Sequence, residues 1–400
     1  MDFSRVALSD LVAPLDVETF RSHYWDRQPV HLPSPAGGRG SLLTWERFSE
    51  LLGTGGHWTA ANLKLILNSR PILPDFYLDG DPAAPIDTRR ADPARVGVFL
   101  GMGASLVADD VERIAPELRR WTTLLGTEFA ALTNANVYCS FKGVQAFATH
   151  YDLHDVFALQ CEGEKVWRIY RNRAENPVSA PHGGEEVQRQ IDAARGDLMA
   201  EVRMRPGDVL YLPRGCYHDA LAQEGASLHV SFAVAPLGAM ALLRALEEAA
   251  LREPAFRAYL ADARSDDGQP LEAQFQALAR RLGELAGSPL IRDAVIDAQR
   301  ARTRSDYAFT LPKRLALDSY ARTQRPAQVE WHDVGMVLRT QSGAHPLGTF
   351  GTVADYALTR PAFSAQELRA RFAHVPAEEH AALLALLVRE RLFERYTPQV

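Results

Sequence analysis

The sequence predicts an α+β chain: a small β-barrel or jelly roll, then a block of helices, then a last unit of mixed strands and helices. Two observations carry this architecture. Between Asn134 and Phe232, short apolar runs are separated by turns at Glu162-Gly163, Pro206-Gly207 and Pro213-Arg214-Gly215, the punctuation of short antiparallel strands. From Leu237 the stretch LGAMALLRALEEAALR consists of helix formers with an apolar stripe at the helical period. A third observation concerns chemistry. In His150-Tyr151-Asp152 a histidine and a carboxylate stand two residues apart; on a strand they point to the same side, with Tyr151 on the other. A third ligand from a distant strand would complete two imidazoles and one carboxylate on one face of a metal. Such a set leaves the opposite positions open and favours Fe(II) and oxygen chemistry.

Taken in order, the chain opens on a helix from Asp16, with Asp16 as its N-cap and Phe20, Tyr24 and Trp25 on one stripe, and then a turn into a strand at Val30-His31-Leu32. Residues 34–40 read as a loop. Thr44 caps a second short helix, and Leu63 to Leu67 is a strand. Asp75 to Arg95, rich in Pro and Asp, reads as irregular; Val96 to Leu100 reads as a strand, and Val107 to Leu125 as a helix with an acidic start. In NANVYCSFKGVQAF the polar Asn136, Tyr138 and Ser140 alternate with Val137, Cys139 and Phe141, so one set must face inward. Polar groups inside a barrel need partners, which a bound dicarboxylate would supply; a solvent-facing row on an edge strand fits the same alternation. Asp155 to Arg168 reads as strand, turn, strand, with Lys165 opening the second. Glu185 to Met204 reads as a short helix or ordered insertion. Val209 to Leu212 is a strand, and His218 opens the next. Helices follow at 237–252, 256–260, 271–285 and 289–302. In the last unit, Val329 to Leu338 and Gly348 to Tyr356 read as strands, Ser364 to Glu367 as a capping box, and Pro376 to Glu394 as a long helix.

A His-x-Asp pair alone is more often a surface histidine beside an unrelated acid than a metal site. The context is more specific. The runs HYDLHDVFALQCEGEKVWRIY, PGDVLYLPRGCYHDA and SLHVSF together resemble the JmjC oxygenases and, within them, the ribosomal oxygenases. The resemblance is strongest from Asn134 to Phe232 and looser towards both ends. It implies a double-stranded β-helix of the JmjC/cupin type over residues 1–236, a helical dimerisation region over 237–310 and a winged-helix-like domain over 311–400. It implies Fe(II) as the metal, held by His150, Asp152 and His218, and 2-oxoglutarate as cosubstrate. Lys165 would neutralise the far carboxylate of 2-oxoglutarate, and Asn136, Tyr138 and Ser231 would line its pocket. His154 and His229 would lie near the site; His229 is the replacement ligand if His218 does not bind metal. Without the resemblance, Lys165 reads as an ordinary exposed charge near a turn. The implied reaction is hydroxylation of a protein side chain, the β-carbon of His or Arg in a ribosomal protein. Hydroxylation of another peptide, lysine demethylation by the same chemistry, and a non-catalytic cupin-like binding module are the alternatives.

The rest of the composition bounds these readings. At 400 residues with 46% hydrophobic and 24% charged content, the chain is a normal folded protein of two or three domains. A net charge of −6 argues against a nucleic-acid surface over the whole molecule, and the last unit shows no basic stripe. No apolar run reaches the roughly eighteen residues of a membrane span, and the first twenty residues carry no secretion signal. Three cysteines, Cys139, Cys161 and Cys216, without a CxxC, fit buried hydrophobes in a reducing, cytoplasmic compartment.

Overall fold

The structure is a computed structural model that describes residues 6–34, 38–54, 56–67, 70–81, 83–141, 147–180, 184–222, 225–302, 318–332 and 335–396. It divides into two compact units, 1–307 and 308–400. The expected boundary near residue 311, and parts of the 34–40 loop and of the run after Phe141, lie outside the described residues.

The first unit is built on two antiparallel sheets. The larger has eight strands in the order 30–32, 209–212, 155–162, 226–236, 131–141, 105–108, 63–67, 70–71. The smaller has three, in the order 198–204, 165–173, 216–221. The turn between the strands Asp155–Glu162 and Lys165–Arg173 requires Gly163: its φ is +64°, and a Cβ there would lie 1.9 Å from the Ala226 carbonyl oxygen.

The period-two pleat sorts the long strands of the larger sheet. Ala135, Val137 and Cys139, then Phe157, Leu159 and Cys161, then Leu228, Val230, Phe232 and Val234 all join the main core, with Leu8, Leu11, Phe20 and Trp121 packed among them. The opposite face looks into the barrel. There Val156, Ala158, Leu210 and Leu212 pack against Trp167 and Ile169 of the smaller sheet. Both faces are covered, which is why Asp155–Glu162 is buried at every position but its last. All three cysteines are free and buried, and burial pushes each thiol up to about 12.

Several expected elements form as read. Asp16 caps its helix by accepting from the Thr19 N–H, Thr44 accepts from Arg47, and Ser364 from Glu367. Others are corrected. Val96 to Leu100 is helical, within Pro93–Gly101: Asp92 accepts from the Arg95 amide and Pro93 takes the first turn, and these start signals outweigh the β-branched valines. Val107 to Leu125 is not one helix. Ser105–Ala108 is a wholly buried strand, and the helix runs from Pro116 to Phe129. Glu185 to Met204 is a helix, Gly184–Ala194, followed by the strand Leu198–Met204 that edges the smaller sheet. His150 and Asp152 are not in a continuous strand; His150 makes an isolated bridge to His218.

Helices Met240–Ala250, Gln269–Ala286 and Pro289–Arg302 share a small core of Leu246, Ala249, Ala250, Leu285 and Ile291. The second unit has its own core around Leu338, Val353, Leu368, Leu383 and Leu387. There Val329 to Leu338 is two paired strands, Gln328–His332 and Gly335–Thr340. Gly348 to Tyr356 is a 3-10 turn and the helix Gly351–Leu358, which buries Val353, Ala354 and Ala357 at helical spacing. The long helix is Ala377–Arg389, ending before the strand Phe393–Tyr396. No helix among the described residues is long and apolar enough to cross a membrane.

Arg39 ties the N-terminal segment to the larger sheet. Its fully buried guanidinium donates to the carbonyl oxygens of Gly207, Asp10, Leu11, Ala13, Leu32 and Pro33 at 2.7–3.2 Å. Replacing it removes a set of charge-assisted bonds and leaves carbonyls unpaired in the core, each costing about 1–3 kcal/mol. Arg39→Met is therefore expected to lower unfolding stability by about 3 kcal/mol or more in urea titration; a loss under about 1 kcal/mol would contradict this role.

Candidate metal centre

Every site residue named from the sequence lines one cavity of about 340 Å³ inside the barrel: Asn136, Tyr138, His150, Asp152, His154, Lys165, His218, His229 and Ser231. That volume falls in the range of small-molecule sites. The pleat accounts for the convergence. Asn136 and Tyr138, then His229 and Ser231, are the inward-facing positions of two paired strands, with His229 opposite Tyr138 and Ser231 opposite Asn136.

At one end, one ligand atom each of His150, Asp152 and His218 lies within 4.8 Å of the others. His218 is the third residue of Cys216–Leu221 rather than its first. The bridge holds the two histidines side by side: the His150 amide donates to the His218 carbonyl at 3.0 Å, and the His218 amide returns the bond at 2.9 Å. Asp152 Oδ2 is 3.7 Å from His218 Nε2. The ring tautomers follow from hydrogen bonding. His150 Nδ1 is 2.9 Å from the Ala148 carbonyl oxygen, and His218 Nδ1 is 2.9 Å from that of Cys216. A carbonyl can only accept, so each Nδ1 carries a proton and each Nε2 is the nitrogen left to face a metal.

Protonation favours the same outcome. Burial, then the neighbouring His150, pulls His218 down, so its ring stays neutral at pH 7. Burial works against Asp152 ionising, but His218, His150 and His154 outweigh it and hold the carboxyl below its ordinary value. Two imidazoles and one carboxylate, with His218 already neutral, suit a divalent ion. This donor set is the physical basis for a ferrous site here.

At the other end sits Lys165. It is 5% exposed, and its ammonium donates to Ser140 Oγ at 3.2 Å. Burial lowers its pKa to about 8. Among the described residues no carboxylate pairs with it, so the cavity holds a buried cation that an anion entering the cavity would satisfy. Between the two ends, Tyr138 stacks on His229 with ring centroids 4.8 Å apart and planes 6° apart. Trp167 lies against both His218 and His229. Burial and then Lys165 hold His229 well below its ordinary value, and among the described residues neither its Nδ1 nor Trp167 Nε1 has a partner. Asn136 is partly engaged, since its Oδ1 accepts from the Asp110 amide and from Asn134.

Sequence reasoning missed Trp167 and the paired Lys64 and Asp109 at the cavity wall, and it placed Ser140 in the polar row without giving it the Lys165 ammonium. The parity of Ser140 with Asn136 and Tyr138, and of Trp167 with Lys165, was the available signal. Nothing local marks Lys64 or Asp109.

The family described as the JmjC domain matches residues 112–241, a span that contains His150, Asp152, Lys165 and His218. Over those residues the chain is similar to the JmjC domain. Ribosomal oxygenase 1 of Rattus norvegicus is 29% identical over 372 residues, covering 84% of this chain and 58% of that protein. The bifunctional lysine-specific demethylase and histidyl-hydroxylase NO66 of Drosophila grimshawi is 30% identical over 230 residues, covering 57% of this chain and 30% of that protein. The chain spans 23–58% of the length of such curated relatives. Among solved structures, the ribosomal oxygenase YcfD of Escherichia coli, in complex with cobalt and 2-oxoglutarate, superposes with a TM-score of 0.51 at 16% identity. It covers 95% of this chain and 98% of its own. The likeness to that structure is one of α+β fold.

The buried lysine gives a pH signature for the protein without ligand. Its folded pKa of about 8 lies below the ordinary 10.5, so between these values the unfolded chain holds the extra proton and stability rises with pH. The penalty is complete below pH 8 and gone above about 10.5. Lys165→Met should be more stable than the parent at pH 7 by roughly 3 kcal/mol, at about 1.4 kcal/mol per pKa unit, with the gap closing as pH approaches 10. Urea unfolding of both proteins at pH 7 and 9.5 checks this; parallel pH profiles would refute it.

Proposed function

We propose that this protein is an Fe(II)- and 2-oxoglutarate-dependent oxygenase that hydroxylates a protein side chain. The supporting observation is that one cavity holds His150, Asp152 and His218 at one end and the buried ammonium of Lys165 at the other. His150 Nε2, His218 Nε2 and an Asp152 oxygen would hold the ion, and Lys165 would pair with the far carboxylate of the cosubstrate. With both bound, such a centre supplies oxidative decarboxylation of 2-oxoglutarate to succinate and CO₂, coupled to insertion of one oxygen atom into a substrate C–H bond. The chain's own contribution is to fix the imidazole tautomers through Ala148 and Cys216, keep Asp152 ionised, and exclude water. Asn136, Tyr138 and Ser231 would contact the cosubstrate, with His154 and His229 lining the space beside it.

The reading extends to a ribosomal protein as substrate, modified at the β-carbon of His or Arg. It draws on the names of the relatives, ribosomal oxygenase and histidyl-hydroxylase. An acidic chain meeting a basic ribosomal protein is electrostatically favourable. The name of the NO66 relatives also supports a second reading, lysine demethylation through hydroxylation of an N-methyl group. The helical block from Leu237 to Arg302 would form a homodimer: it exposes Met240, Leu243, Leu251 and Phe275, each more than half accessible, a surface a second copy would cover. The second unit is read as a winged-helix-like, protein-binding domain without a nucleic-acid role, and the protein as cytoplasmic.

Purified protein with Fe(II), 2-oxoglutarate and ribosomal-protein peptides should release succinate and add one oxygen to a His or Arg peptide by mass spectrometry. Asp152→Ala and His218→Ala should each lose at least about a hundredfold in turnover. Lys165→Met should raise KM for 2-oxoglutarate by roughly a hundredfold, as for a lost buried charge pair. Formaldehyde release from methyl-lysine peptides would favour demethylation, and no succinate with any peptide would leave a binding module. For the dimer, Leu243→Asp should halve the mass measured by light scattering; a monomeric parent would rule the dimer out.

A further inference from the structure

The two histidines of the candidate centre are joined through their neighbours on the far side of the smaller sheet. Thr149 precedes His150 and Asp219 follows His218, so the antiparallel bridge sets Thr149 and Asp219 beside each other, facing away from the cavity. Both are buried, at 5% and 4% exposure. Thr149 Oγ1 donates to Asp219 Oδ2 at 3.0 Å, and the Tyr170 hydroxyl donates to the same oxygen at 2.7 Å. Arg195 Nη1 donates to Thr149 Oγ1 at 2.9 Å, and its guanidinium lies 4.2 Å over the Tyr170 ring. Gln188 Nε2 donates to the Thr149 carbonyl at 3.1 Å. Gln188 belongs to the helix Gly184–Ala194 and Arg195 directly follows it, so this excursion straps the outer face of the sheet. Ile191 of the same helix packs with Tyr170 and Tyr217.

We propose that Asp219 and Thr149, braced by Tyr170, Arg195 and Gln188, form a positioning network that sets the separation and ring orientation of His150 and His218. The inference rests on the oxygenase reading of the centre. His150 meets the sheet through an isolated bridge rather than a continuous strand, with a further tether from the Gly215 amide to the Asp152 carbonyl at 2.9 Å. Its ring is aimed by the Ala148 carbonyl, and that of His218 by the Cys216 carbonyl. Thr149 is the residue between Ala148 and His150, so whatever holds Thr149 holds both the ring and its orienting acceptor. A buried carboxylate with two hydroxyl donors is a rigid anchor, because leaving either donor unmade is costly in a site closed to water.

Titration of the full-length apoprotein with Co(II), read by the ligand-field absorption of the ion and by calorimetry, tests this without turnover. Thr149→Val and Asp219→Asn should weaken Co(II) binding by about tenfold and alter the absorption band, the effect expected of groups that orient metal ligands. Thr149→Ser, which keeps the hydroxyl, should retain parental affinity. Urea unfolding of the apoproteins separates positioning from general destabilisation, since loss of stability alone leaves the affinity of the folded fraction unchanged. If Asp219→Asn does not fold, Thr149→Val and the partly exposed Arg195→Met still decide the matter. Folded variants with Co(II) affinity within about twofold of the parent would overturn the network. A parent that binds no Co(II), like His218→Ala, would instead overturn the oxygenase reading and this inference with it.

Discussion

A pair of backbone hydrogen bonds between His150 and His218 is the constraint on which the candidate centre depends. The two residues come from segments distant in the chain, and this bridge sets them side by side. The bridge does more than set a distance. It aligns two peptide segments antiparallel, so that the carbonyls of Ala148 and Cys216 each fall under an Nδ1 and both Nε2 atoms turn towards Asp152. It also pairs Thr149 with Asp219 on the reverse side. A single register choice therefore determines ligand geometry, tautomer and support together.

The second constraint is the pleat of the larger sheet. Because its outer face packs on the N-terminal helices, the inner face is free to carry polar groups over part of its length without losing the core. The barrel interior is accordingly divided. One region is apolar and joins the two sheets. The other presents imidazoles, a carboxylate and an ammonium to a concave, partly open cavity. Low polarity there strengthens every charge interaction and makes each unmatched charge expensive. Lys165 and the His229 Nδ1, which has no partner among the described residues, are therefore destabilising in isolation, and the fold retains them with the Arg39 staple and a large core as offsets.

Much of this was legible beforehand because period-two alternation and Gly–Pro turns are local signals. The strands from Asp155 to Arg173, the Gly163 turn and the caps at Asp16, Thr44 and Ser364 follow from residues within a few positions of one another. The nine site residues share a cavity because they sit at inward parity on strands or turns that parity reasoning could identify. Misreadings arose where a local signal competed with another. Val96 and Val98 suggested a strand, but Asp92 and Pro93 start a helix. The apolar residues on both sides of Asp109 and Asp110 merged a strand and a helix into one element.

By itself, the sequence determined which residue types could meet, on which face of each strand, and where most turns fall. Those properties depend on covalent spacing and on φ/ψ preferences that neighbours share. Only the tertiary structure decided that His150 pairs with His218 outside any continuous strand, that Ser140 rather than a carboxylate receives Lys165, and that Asp219 meets Thr149. Each of these contacts joins residues that are far apart in sequence. Their formation rests on how two sheets stack and register, a cooperative packing outcome that no local window of residues contains.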